Sequence, residues 1–251
     1  MRKDFLESSR WLVYQATHRY MPLWKLDSVE EFKTCFIDIL ILVHFRAYDT
    51  AKVVHRDISE NNAMARRKVV DGLIVGLLND WDLAAILKGT GADADTAGHR
   101  TGTGPFMAIR LQETAGQSNS PSQGYHHDLE SLFWLLVWAT LHFDLENKCR
   151  LPTRLQAWEG EWGAAADAKY KFLCRSTAFY TVLNRALPSY KGLVATWIAP
   201  LAQLFKSAYL AAEVSTYNAA GEGQGFFDDS IYAQKITFGA FMRAIGVTPR
   251  K

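Results

Sequence analysis

A mainly α-helical fold with one small β-hairpin is what this sequence predicts. Phe32 to Ala47 carries a helical apolar repeat, Leu129 to His142 is a nearly continuous apolar helix, and strand-like runs are few. The first helix is signalled at Ser28, where Ser-Val-Glu-Glu has the S-x-x-E form of a capping box. Phe32, Phe36 and Leu40 recur every four residues, as do Ile39, Val43 and Ala47, while Ile37, Ile41 and Leu42 fill other faces. That pattern predicts a central helix buried nearly all round. Ala63 to Ala65 and Leu73 to Leu78, joined by the polar Arg66 to Gly72, predict the hairpin. Lys88 to Pro105 and Gln117 to Gly124 have loop composition, and Asp128 is placed to cap the Leu129 to His142 helix. Helical patterns follow at Arg154 to Tyr170, Lys171 to Ala186, Gly192 to Thr216 and Ser230 to Ile245, divided by Pro152, Pro188 and the Gly221 to Gly225 loop. No internal repeat or domain linker is visible.

At 251 residues, 49% hydrophobic and 22% charged, the chain can bury a sizeable core. Lys plus Arg is 28 against 26 for Asp plus Glu, so no single-sign field calls for nucleic acid or an anionic membrane as an obligatory partner. Cys35, Cys149 and Cys174 are odd in number and contain no Cys-x-x-Cys, which speaks against a disulfide scaffold or a structural zinc and for reduced thiols. Met1 to Arg10 is charged and lacks the apolar core of a signal peptide. Phe36 to Phe45 and Leu132 to Phe143 are shorter than the roughly 20 residues a bilayer crossing needs. The expectation is a soluble intracellular protein, cytoplasmic or nuclear.

Chemistry concentrates in His55-Arg56-Asp57-Ile58-Ser59-Glu60-Asn61-Asn62, which has the form H-R-D-x-x-x-x-N. That form resembles the catalytic loop of protein kinases, in which the spacing lets a carboxylate face an attacking hydroxyl while an amide oxygen a turn away holds a magnesium ion. Asp80-Trp81-Asp82 follows, and antiparallel pairing in the hairpin is expected to bring Asp80 within roughly 5 Å of Asn62. Two further motifs come in order, Gly102-Thr-Gly-Pro-Phe-Met-Ala108 and Asp128-Leu-Glu-Ser131. The four resemble the catalytic loop, the metal-binding D-F-G, the end of the activation segment and the D-x-x-S helix start of protein kinases. With Leu155-Gln-Ala-Trp158 and Lys169-Tyr-Lys-Phe-Leu173, the chain most resembles the fungal-type protein kinase domain family, over roughly residues 20 to 190.

That resemblance implies Asp57 as the base that orients the substrate hydroxyl, with Asn62 and Asp80 as ligands of the magnesium that accompanies ATP. Arg56 matches the arginine that pairs with a phosphorylated activation loop, Thr103 the threonine that bonds the catalytic aspartate, and Asp128 the carboxylate that holds the loop backbone. Ser59 stands where many kinases place a lysine, in the HRDIS form associated with the fungal family. Arg110 stands where a glutamate usually pairs with a later arginine, so the charge reversal leaves the anchoring of the segment open. Asp82 replaces a glycine and is expected to limit backbone freedom there.

Only 54 residues precede His55, and they contain no G-x-G-x-x-G and no V-A-x-K. Residues 28–251 therefore read as a kinase-like C-terminal lobe and 1–27 as a hinge-like segment, with Met21 to Leu26 as the hinge and the N-terminal lobe absent or nearly so. The function implied is phosphate transfer from ATP-magnesium to a protein Ser or Thr hydroxyl. The alternative is a pseudokinase or truncated paralogue that binds a protein partner through the surface the other lobe would cover. A small-molecule kinase of the aminoglycoside type fits less well, because it usually lacks the Thr103 to Ala108 pattern. Nucleotide affinity of the chain alone is expected to be weak, because the phosphate-gripping lysine and Gly-rich loop have no counterpart. His126-His-Asp128 reads as structural, Gly221 to Gly225 as a surface loop, Arg66-Arg-Lys68 as a solvated hairpin tip, and Trp134 and Trp138 as core.

Overall fold

The structure, a computed structural model, describes residues 20–87, 102–117, 120–217 and 223–248. Among these residues helices dominate, and four small antiparallel sheets accompany them. Ser28 caps the first helix as expected, its Oγ accepting the Glu31 N–H at 3.1 Å. The Glu31 carboxylate turns back to the N–H of Asp27 (3.0 Å), one residue before the cap, and also takes Arg67 (2.9 Å).

The chain stays helical from 29 to 51, but over Ile39–Phe45 the hydrogen bonds widen to the i→i+5 pattern. Phe32, Phe36, Ile39, Leu40 and His44 are fully buried, whereas Leu42 is half exposed. Burial nearly all round is thus corrected: the sheet packs on one side, Trp197, Phe238 and Phe241 pack on another, and a third side is left to solvent.

The hairpin is longer than its sequence signal. Ala63–Arg67 pairs with Ile74–Leu78, and Met21–Pro22 adds a third strand against Met64 and Ala65. The segment expected to act as a hinge is thereby stitched to this sheet, with Leu23 and Leu26 fully buried. Arg67 is no solvated tip residue; it holds Asp27 at 2.7 Å as well as Glu31. The exposed tip is Lys68 to Gly72.

Gly76 marks where this sheet touches the first helix. A Cβ there would lie 1.9 Å from the Cys35 carbonyl oxygen, and the Gly76 N–H donates to Asp38 Oδ2 at 3.1 Å. Backbone cannot move aside as a side chain can, so Gly76→Ala is expected to destabilise by about 1–3 kcal/mol. An unchanged urea midpoint would contradict this contact.

The central helix, Tyr125–His142, begins earlier than expected. Gly124 is its N-cap, and His127 Nδ1 accepts the Gly124 N–H at 2.9 Å, so the capping role given to Asp128 is corrected. Asp128 sits inside the first turn and is fully buried. Trp134 and Trp138 are core, as read. At the far end, His142 Nδ1–H donates to the Trp138 carbonyl (2.8 Å) while Nε2 accepts from the Arg154 N–H (2.9 Å). Burial pushes this imidazole down to about 4. Its ring proton signals in NMR are therefore expected to show no titration between pH 7 and pH 5; a midpoint near 6.5 would refute this.

The C-terminal helices wrap this core with shifted boundaries. Gln156–Glu159 and Trp162–Cys174 are separate, the second running straight through the division expected after Tyr170, and Ser176–Leu183 follows. Residues 191–212 are helical, but the helix expected to reach Thr216 stops at Ala212. Glu213–Tyr217 instead pairs with Gly223–Phe227, so the glycine-rich run read as loop is partly strand. Val214, Thr216 and Tyr217 are β-formers, and local preference wins once a partner strand is present. The last pattern splits into Asp229–Lys235 and Phe238–Ala244, capped by Asp228 and Thr237. No helix among the described residues is long and apolar enough to cross a membrane. Residues 88–101 of the Lys88 to Pro105 loop, and 1–19, lie outside the described residues.

Candidate functional site

The His55–Asn62 loop leaves a short strand, Val53–Val54, and its backbone is fixed from the central helix. The N–H groups of His55 and Arg56 donate to Asp128 Oδ2 (2.7 Å) and Oδ1 (3.1 Å), and His44 Nε2 reaches Oδ2 at 3.1 Å. Arg56 has φ +72°, left-handed backbone that a side chain disfavours. Its carbonyl accepts from Gln123 Nε2 at 2.9 Å, so both of its peptide groups are held. The Arg56 guanidinium makes no ion pair among the described residues, and its Nε is buried without a partner.

His55 carries a second tie. Its Nδ1 accepts from the Asp57 N–H (3.3 Å) and its Nε2–H donates to the Asn79 carbonyl (2.8 Å), an arrangement that needs the neutral ring. Burial lowers its pKa accordingly. The ring also meets the Trp81 indole at 4.6 Å, so one buried imidazole joins the loop to the far end of the hairpin.

Asp57 is gripped on both oxygens. Oδ1 accepts from the Thr103 N–H (2.8 Å) and hydroxyl (2.9 Å), and Oδ2 accepts from Asn62 Nδ2 (3.0 Å). Asn62 Nδ2 also donates to the Asp57 carbonyl at 2.8 Å. Both amide protons of Asn62 are therefore spent on Asp57, which leaves its Oδ1 free of protein donors among the described residues.

Across the ladder, the Asn62 carbonyl accepts the Asn79 N–H at 2.8 Å. Asn79 therefore stands opposite Asn62, and Asp80 is one residue beyond. Asp80 is exposed, has φ +60°, and makes no hydrogen bond or ion pair among the described residues. The Asn62 amide oxygen and the Asp80 carboxylate, on neighbouring strand ends, are hard oxygens of the kind magnesium takes. Among the described residues no group of three or more His, Cys, Asp and Glu could hold a metal, the His126–Asp128 run included.

Asp82 has an ordinary φ; the left-handed position is Asp80, so the loss of a glycine at 82 strains nothing. Ser59 is buried beneath the loop, and its carbonyl accepts the N–H groups of Asn62 and Ala63. Its hydroxyl makes no hydrogen bond to Asp57 among the described residues.

Gly102 is required where it stands. Its φ is +137°, and a Cβ would meet Met107 Cε at 3.1 Å and the Arg56 carbonyl at 3.3 Å. Beyond it, Arg110 pairs with Glu113 (3.1 Å) and Asp229 (3.5 Å), and its guanidinium lies 4.4 Å over the Phe227 ring. The charge reversal at 110 is thus met by acidic partners. Sequence reasoning missed His44, Gln123, Glu130 and Lys169. Glu130 had a signal, a carboxylate within an apolar helix, and Lys169 stood in a family motif that gave it no role, whereas Gln123 had none.

Comparison with protein families finds a match to the fungal protein kinase family over residues 9–140, just over half the chain. The matched stretch contains the Asp57 loop, Asp80, Thr103 and Asp128. The Leu155 to Trp158 and Lys169 to Leu173 motifs lie past its end. No match is found among curated proteins.

Proposed function

The chain belongs to the fungal protein kinase family, and from that premise we propose that it transfers the γ-phosphate of ATP to a Ser or Thr hydroxyl of a protein, with Asp57 as the base. The observation that carries this reading is the grip on Asp57. Thr103 occupies Oδ1 with two donors while Oδ2 takes one, so Oδ2 keeps a lone pair for an incoming hydroxyl. In the transfer, the substrate oxygen bonds to the γ-phosphorus as the bond to ADP breaks, and the hydroxyl proton passes to Asp57.

Asn62 Oδ1 and the Asp80 carboxylate are the groups that would hold magnesium, which when bound neutralises phosphate charge. The family accounts for a kinase-like function in general; protein as substrate, ATP as donor and these residue roles are the proposal. Residues 28–251 are taken with it as a C-terminal lobe, and 1–27 as the segment leading into it.

The test is phosphate transfer from labelled ATP to a panel of protein substrates in magnesium. Asp80→Asn is expected to lower transfer at least tenfold, with part of the loss recovered at high magnesium. Transfer indifferent to both Asp80→Asn and Asp57→Asn would mean the site lies elsewhere. A chain that transfers nothing would favour the protein-binding module.

A further inference from the structure

Lys169, on the Trp162–Cys174 helix, is fully buried, yet all three of its ammonium protons have acceptors. Nζ donates to the carbonyls of Met107 (2.7 Å) and Gly104 (3.1 Å) and to Gln112 Oε1 (3.0 Å). Gln112 returns its own Nε2–H to the Gly104 carbonyl at 2.8 Å, closing a ring. Glu130, equally buried on the central helix, accepts from the Ile109 N–H (2.9 Å), Trp134 Nε1 (3.1 Å) and the Tyr232 hydroxyl (2.6 Å). A buried basic and a buried acidic side chain, from two helices, thus hold the backbone at Gly104, Met107 and Ile109 and the side-chain amide of Gln112. Trp134 and Trp158 stand 5.5 and 5.7 Å from the ammonium and dry its surroundings.

This segment starts at Thr103, whose N–H and hydroxyl fix Asp57 Oδ1. Arg110 cannot serve the same end, because its partners Glu113 and Asp229 lie towards the outer surface, each about a third exposed. We propose that Lys169, seconded by Glu130, is a positioning residue: it sets the register of residues 103–112 and, through Thr103, the placement of the Asp57 carboxylate. The proposal rests on the reading of Asp57 as the reacting carboxylate. Burial presses Lys169 towards the neutral form and Glu130 upward, opposed by their attraction to each other, so neither charge would be retained there without its acceptors and donors.

Hydrogen exchange on the full chain tests it, with Lys169→Met, Glu130→Gln and the double variant. An ion pair that merely neutralises itself would be rescued in the double variant, where no unpaired charge stays buried. The proposal instead expects exchange over residues 103–112 to be at least tenfold faster in Lys169→Met and in the double variant, with the Tyr125–His142 helix as protected as in the parent. Where transfer activity is measurable, kcat should fall at least tenfold and the KM for ATP should stay within twofold. Protection of 103–112 restored in the double variant overturns the proposal, and so does loss of central-helix protection in that variant, which would make the pair a folding element. A parent chain with no transfer activity strikes the proposed function, while the exchange result still decides whether Lys169 clamps the segment.

Discussion

Asp57→Asn is expected to lower phosphate transfer by about two to four orders of magnitude, the usual contribution of a positioned general base. The loss has two physical sources. An amide has no basicity to offer the substrate hydroxyl. It also disturbs its neighbour: Asp57 Oδ2 now accepts from Asn62 Nδ2, and an NH₂ placed there would face another NH₂. Asn62 would then have to turn, and the Oδ1 left free for a cation would turn with it. Thr103 can keep both of its bonds to the remaining oxygen, so the melting temperature should change little. Single-turnover measurement with saturating magnesium and ATP checks this, and a loss smaller than tenfold would remove Asp57 from the role of base.

The largest structural effect is expected at Asp128. Its carboxylate is fully buried and takes the His55 N–H, the Arg56 N–H and His44 Nε2. Asp128→Ala leaves two backbone donors and an imidazole nitrogen buried without an acceptor, at a cost of about 3–5 kcal/mol. Asp128→Asn keeps one accepting oxygen and should cost less. Urea unfolding measures the difference. A loss below about 1 kcal/mol for Asp128→Ala would show that water or a relaxed loop satisfies these groups. The left-handed Arg56 is held in place by these same bonds, so its strain should be released together with them.

Some of this was legible in the sequence because it is local. Ser28 lies three residues from the amide it caps, and the Asp57 to Asn62 spacing is spanned by two hydrogen bonds from one side-chain amide. The apolar run of the central helix forces burial whatever surrounds it. Read locally, Asp128 misled, since a carboxylate before an apolar helix reads as a cap; the family resemblance gave its other role, holding a loop backbone more than 70 residues upstream. Lys169 was quoted as part of a family motif without a role, since its acceptors are carbonyls and an amide about 60 residues away. Carbonyls carry no sequence signature. The helix end at Ala212 was missed because Glu213–Tyr217 becomes strand only when Gly223–Phe227 is beside it.

The bonds that fix the His55 and Arg56 peptide groups and the Asp57 carboxylate from outside the loop run forward in the chain, to Thr103, Gln123 and Asp128. A ribosome therefore delivers the loop well before the groups that hold it. His55 and Asp128 are 73 residues apart, which takes roughly 4–15 s to polymerise at 5–20 residues per second. During that interval the His55 and Arg56 N–H groups have water in place of the Asp128 carboxylate, and the bond that holds Arg56 in its left-handed backbone is missing. The geometry of this loop is thus among the later things the polypeptide acquires, although its residues are among the earlier ones made. A chain that ended between residues 104 and 127 would carry Asp57, Asn62, Asp80 and Thr103 and still lack the carboxylate that fastens the loop bearing the first two.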